Sequence, residues 1–105
     1  MANIFDAVVT IAETKKGTLE VIEKDLEKDI TLEFGDIDDS SGVHDGEIEY
    51  FIQLKWAINA EQWAKIAKKY KVEIYARGCE DGMGFYQVVQ IGPRGGIIKN
   101  KELSF

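Results

Sequence analysis

Hydrophobic positions in this chain recur at two spacings, and the changes from one spacing to the other mark out its elements. Phe5, Ala7, Val9 and Ile11 alternate at strand period within a segment, 4–12, that is rich in β-branched residues. The polar stretch Glu13-Thr14-Lys15-Lys16-Gly17 breaks that pattern. Leu19, Ile22, Leu26 and Ile30 then form one stripe at helical spacing, with Thr18 placed to cap its start. Thr31-Leu32-Glu33-Phe34 reads as a short strand, and residues 35–46, crowded with Gly, Asp and Ser, read as a loop. The clearest alternation follows. Ile48, Tyr50, Ile52, Leu54, Trp56 and Ile58 occupy one phase, while Glu47, Glu49, Phe51, Gln53 and Lys55 occupy the other. That is a half-buried strand with one solvated face.

Asn59 ends this strand and opens a second helix. It is a favoured capping residue, and Gln62 three places on completes the capping-box pattern. Trp63, Ile66, Ala67 and Tyr70 supply the buried stripe, and Lys65, Lys68, Lys69 and Lys71 gather in the C-terminal half, where they complement the helix dipole. Residues 72–77 alternate as a strand, 78–84 read as a glycine-rich turn, and 85–91 return as its hairpin partner. After Pro93-Arg94-Gly95-Gly96, the segment from Ile97 onward adds an edge strand or stays loose.

The order β-α-β, loop, β-α-β-β-β predicts one α+β domain over residues 1–105. It is of the ferredoxin-like split β-α-β kind, with two helices packed on one face of an antiparallel sheet. The other face carries Phe51, Gln53, Lys55, Glu73, Tyr75 and Arg77, and Gln87 is expected to join them. That face is open unless something docks on it.

The second half resembles a known family. A strand ending in Trp56, a helix, a strand and then Glu80-Asp81-Gly82-Met83-Gly84-Phe85 is similar to the ferredoxin-like YubB/Api92 domain of phages and conjugative plasmids, over roughly residues 47–96. That family begins its helix with prolines, where this chain has Asn59-Ala60. The resemblance implies a ferredoxin-like fold and an origin on a mobile element, and it brings no catalytic activity with it.

Composition narrows the classes of function. Of 105 residues, 45% are hydrophobic and 30% charged, a globular balance. No apolar run approaches the roughly 20 residues that span a bilayer. Met1-Ala2-Asn3 leads straight into an alternating segment with Asp6, which is no export signal, and a lone Cys79 excludes a disulfide within the chain. The expected setting is the cytoplasm. A net charge of −6, from 19 acidic and 13 basic side chains, repels nucleic acid at long range and favours a basic protein partner, including a nucleic-acid-binding host protein.

The candidates for chemistry are few. Asp36, Asp38, Ser40 and Glu47 fall at positions 1, 3, 5 and 12 of a calcium loop, but Ser41 stands where that loop needs glycine and the flanks read as strands. His44 beside Asp45 has the makings of a general base, without an activated nucleophile near it in sequence. Cys79 lies beside Glu80 and Asp81, and neighbouring carboxylates oppose thiolate formation. The glycines of 78–84 are followed by no helix and enclose two acids, so they make a poor phosphate cradle. No metal or cofactor is expected.

The leading expectation is a non-enzymatic protein-binding module, an acidic phage- or plasmid-encoded factor that inhibits or modulates a host protein. Its contact residues would be Phe51, Gln53, Lys55, Glu73, Tyr75 and Arg77 on the open face, with Asp36, Asp38 and Asp39 in the acidic loop. One alternative is a small metal-binding or enzymatic domain using residues 36–47. The other is RNA or DNA binding through Phe51, Tyr75 and Arg77, opposed by Glu47, Glu49 and Glu73 on the same face. A homodimer pairing its open faces is compatible with any of these.

Overall fold

Alternation along the strands becomes the two faces of one sheet. The computed structural model describes residues 4–55, 57–80 and 84–104. Its elements are β1 (Ile4–Glu13), α1 (Thr18–Phe34), β2 (Ile37–Ser40), β3 (Glu47–Lys55), α2 (Ala60–Tyr70), β4 (Val72–Glu80), β5 (Phe85–Ile91) and β6 (Ile97–Ser104). The six strands lie in the order β2-β3-β1-β4-β5-β6, each antiparallel to its neighbours. Register carries the buried phase straight across: Val9 lies between Tyr50 and Ala76, and Ile11 between Ile48 and Ile74, all of them buried.

Leu19, Leu26 and Ile30 of α1 and Trp63, Ile66 and Ala67 of α2 join that phase in a single core. The predicted α+β architecture, with both helices against one sheet face, is therefore observed. Asn59 caps α2 as its sequence indicates, its Oδ1 accepting the Gln62 N–H at 3.1 Å.

Five local expectations are corrected. First, α1 does not stop before Thr31 but runs to Phe34, where Gly35 donates to the Thr31 carbonyl. Ile30 and Phe34 are one helical turn apart, and Phe34 stacks on Trp63 with ring centres 4.0 Å apart and planes 4° from parallel. Leu32 gave the segment its false strand alternation and is 75% exposed.

Second, α1 is capped from outside. Gly17 takes a left-handed conformation, and the Glu13 carboxylate accepts the N–H groups of Gly17 (2.9 Å) and Leu19 (3.0 Å). A charge-assisted acceptor at a helix start does the work expected of the Thr18 hydroxyl.

Third, the acidic segment 35–46 is not a plain loop. Residues 37–40 form β2 along β3, with a register shift between Ile37 and Asp39. His44 and Glu47 then exchange backbone hydrogen bonds around Asp45-Gly46, whose φ angles of 51° and 78° make a tight two-residue turn. Asp and Gly tolerate those left-handed angles, and such turns match the twist of paired strands.

Fourth, Gly78, Cys79 and Glu80 belong to β4 rather than to a turn. Asp81, Gly82 and Met83, which carry part of the family resemblance, lie outside the described residues, as does Trp56.

Fifth, Gln87 faces the helices. It pairs with Gly78 in the core phase and is buried, its Oε1 accepting the Ile58 N–H at 2.9 Å. Its Nε2 donates to the Ile58 carbonyl at 3.0 Å and to Asn100 Oδ1 at 2.9 Å. The side chain thus substitutes for a strand neighbour at the bend between β3 and α2. Gln87→Leu fills the same space yet leaves both Ile58 backbone groups unpaired. Urea unfolding should show a loss of about 2–3 kcal/mol, since an orphaned buried polar group costs about 1–3 kcal/mol.

The tail resolves as strand: Ile97–Ser104 pairs with β5 and forms one edge of the sheet.

The uncovered sheet face as a candidate docking surface

The phase opposite the core meets no helix among the described residues. Strand register arranges it in transverse rows. The central row runs Asp39, Phe51, Val8, Arg77, Val88, Lys101 from β2 to β6. One neighbouring row holds Glu49, Thr10, Tyr75, Gln90 and Lys99, and the other holds Gln53, Asp6, Cys79, Tyr86 and Leu103. Phe51 is 40% exposed, Tyr75 39%, and Leu103 57%.

The polar groups in the middle of this face are largely satisfied by one another. Arg77 donates to Thr10 Oγ1 (3.2 Å) and reaches Glu49 Oε2 (3.4 Å), while Thr10 donates to the same carboxylate oxygen at 3.3 Å. The guanidinium also lies 5.1 Å from the centre of the Tyr75 ring. Gln53 Nε2 donates to Asp6 at 3.3 Å. Charges held in this way need few waters, which lowers the cost of drying the surface.

Of the residues expected to make contact, Phe51, Gln53, Lys55, Glu73, Tyr75 and Arg77 do share this face. The acidic three divide. Asp39 joins the face opposite Phe51, Asp38 lies in the register shift of β2, and Asp36 borders a cleft on the α1 side with Glu27, Lys28 and Leu32. Val8, Tyr86, Val88, Lys99, Lys101 and Leu103 complete the surface, although the alternation reading passed over them. Their signal was present, because Val8 and Val88 put apolar side chains on the solvent phase of their strands.

The other candidates do not assemble into sites. Among the described residues, no group of three or more His, Cys, Asp and Glu side chains is gathered closely enough to hold a metal ion. His44 Nε2 lies 3.0 Å from the Ser41 carbonyl within its own turn. Cys79 is half-buried between its cross-strand neighbours Asp6 and Tyr86. A cleft of about 680 Å³ lies where α1 ends and α2 begins, and it includes Glu33, Phe34, Lys55, Asn59 and Gln62. The Asn59 side chain there already caps α2.

The lysines of α2 sit in the helix layer, across the sheet from Phe51, Tyr75 and Arg77, so the two sets do not form one basic surface. Lys69 is bound instead to Asp29 of α1 at 2.6 Å, and Tyr70 donates to the same carboxylate. Those hydrogen bonds, from Lys69 first and then Tyr70, hold the Asp29 carboxyl below its ordinary range. A carboxyl lowered on folding stabilises fully above the unfolded value of about 4, and that contribution is lost as pH falls through the folded value. Asp29→Asn should therefore remove part of the acid slope of stability below pH about 4, with little change in slope near neutrality. Acid titration of the midpoint of unfolding in both proteins checks this.

Compared with family models, curated proteins and solved structures, this chain matches none. What its geometry defines is a class, an α+β domain with a six-stranded antiparallel sheet covered on one face by two helices and bare on the other.

Proposed function

We propose that the domain is a non-enzymatic protein-binding module that docks through the bare face of its sheet. The observation that carries this reading is the central row. Phe51, Val8 and Val88 occupy solvent-phase positions beside an Arg77 already held by Glu49 and Thr10. Aromatic and aliphatic anchors around a pre-paired arginine are the composition of an interface core. Asp39, with the exposed Asp38 beside it, adds an acidic border on the β2 side, which suits a basic partner.

The arrangement β2-β3-β1-β4, with α1 and α2 as the connections, supports a ferredoxin-like core to which β5 and β6 are added as a hairpin. The similarity of residues 47–96 to the YubB/Api92 domain supports a phage- or plasmid-encoded factor that modulates a basic or nucleic-acid-binding host protein. A lone cysteine supports work in a reducing compartment such as the cytoplasm.

The test is comparative capture from a host lysate by immobilised wild-type chain, Tyr75→Glu and Val21→Glu. Val21 lies on α1 and is 82% exposed, so its variant alters the far side of the molecule. A docking face predicts proteins captured by the wild type and Val21→Glu and lost with Tyr75→Glu. Equal capture by all three would remove the reading.

A further inference from the structure

Charge is unevenly spread across the bare face. Asp39, Glu47 and Glu49 stand on the β2–β3 side, with Lys55 at the far end of β3, and Lys99 and Lys101 stand on β6. Asp39 and Lys101 are the two ends of one transverse row, opposite Phe51 and Val88 respectively. Glu49 is engaged by Arg77, whereas no ion pair among the described residues engages Asp39, Lys99 or Lys101.

We propose that the occupant of this face is a second copy of the chain, related by a two-fold axis running parallel to the strands. This rests on the reading of the face as a protein-docking surface, with a second copy rather than the basic host protein as the occupant of the face. Two in-plane axes can bring the faces together. An axis across the strands, along the central row, lays Asp39 on Asp39 and Lys101 on Lys101 and brings Glu47 over Lys55, so like charges meet at both edges of the row, which electrostatics disfavours there. The axis along the strands lays β2 of one copy over β6 of the other.

The central row is complementary to its own reverse under this second operation. Asp39 meets Lys101 of the partner subunit, and Phe51 meets Val88 of the partner subunit. Val8 meets the aliphatic stem of Arg77 of the partner subunit, whose guanidinium stays with its own Glu49. Each contact occurs twice, as a closed two-fold interface requires. Sheets stacked in the aligned manner keep their strands within about 30° of one another, so in that packing the order from centre to edge survives their twist. Strands about 4.8 Å apart with a rise of about 3.3 Å per residue give a face of roughly 600 Å². Two such faces bury roughly 1,200 Å², at the lower limit for specific interfaces, so the rim charges carry a large share of the selectivity.

Sedimentation of wild type, Asp39→Lys, Lys101→Asp and an equimolar mixture of the two variants tests the proposal. Both positions are exposed, and thermal unfolding monitors that each variant folds. A reversible dimer of the 11.8 kDa chain is expected for wild type. Each variant alone, now setting like charges together twice, should dimerise about tenfold more weakly. The mixture should return to wild-type strength, because both rim pairs become opposite again in the heterodimer. A wild type that stays monomeric at millimolar concentration, a dimer indifferent to Asp39→Lys, or a mixture no stronger than its components would each overturn the second-copy assignment. The docking reading would then stand or fall separately, on whether Tyr75→Glu loses a captured protein.

Discussion

Replacing Gly78 with alanine is expected to remove about 4 kcal/mol or more, a large part of the roughly 5–15 kcal/mol that holds a domain of this size together. Gly78 pairs with Ala7 where β4 meets β1. A Cβ there would overlap the Asp6 carbonyl oxygen and stand 2.7 Å from the Phe5 ring and 2.9 Å from the Ala7 Cα. Two of those three atoms belong to backbone, and β1 is held by ladders on both sides, so neither strand can move aside alone. Gly96→Ala is the matched control, because nothing lies within 4 Å of its Cβ. It should stay within about 0.5 kcal/mol of wild type. Urea unfolding of both proteins, with circular dichroism to show whether Gly78→Ala folds at all, measures the contrast.

Trp63→Ala is expected to cost about 3–5 kcal/mol, the range for emptying a large buried aromatic site. Trp63 is fully buried, is the largest fully buried side chain among the described residues, and stacks on Phe34. It therefore joins the last turn of α1 to the first turns of α2. Its indole Nε1 is buried without an acceptor among the described residues, so the residue contributes through packing rather than through a hydrogen bond. Trp63→Phe keeps the stack and discards the unpaired donor, and should cost about half as much as alanine or less. Equal losses for Phe and Ala would show that the indole itself, and not the ring stack, is what matters.

Much of this fold was legible because one periodicity dominated each long segment. Asn59 and Gln62 announced the start of α2, and Phe5, Ala7, Val9 and Ile11 announced the buried face of β1. The misreadings share a cause: they lie where local pattern and tertiary contact disagree. Leu32 alternates with Phe34 as in a strand, yet only the stacking of Phe34 on Trp63 decides that α1 continues. Asp45-Gly46 is a strong hairpin signal, but the Asp and Ser around it read as loop composition and hid β2. Gln87 shares the phase of Val89 and Ile91, but its polar amide reads as a surface group, and the partner that satisfies it, Ile58, lies 29 positions away in sequence. No local pattern encodes that contact.

The candidate surface was partly legible for the same reason. Phe51, Gln53, Lys55, Glu73, Tyr75 and Arg77 follow from alternation within single strands. The joining of Asp39, Val8, Val88 and Lys101 into one row depends on strand order and register, which only the folded sheet supplies. The division of Asp36 from Asp39 likewise depends on the folded chain, because Asp36 precedes β2 and lies beside Glu27 and Lys28 of α1.

The bare face is tested most directly by an amide and methyl NMR dilution series on the wild-type chain. The expected result is a set of concentration-dependent shifts confined to Val8, Phe51, Tyr75, Arg77, Val88, Asp39 and Lys101, with α1 and α2 unmoved. Shifts centred on the helices, or spectra that do not change from millimolar to micromolar concentration, would contradict a sheet face that docks a second copy.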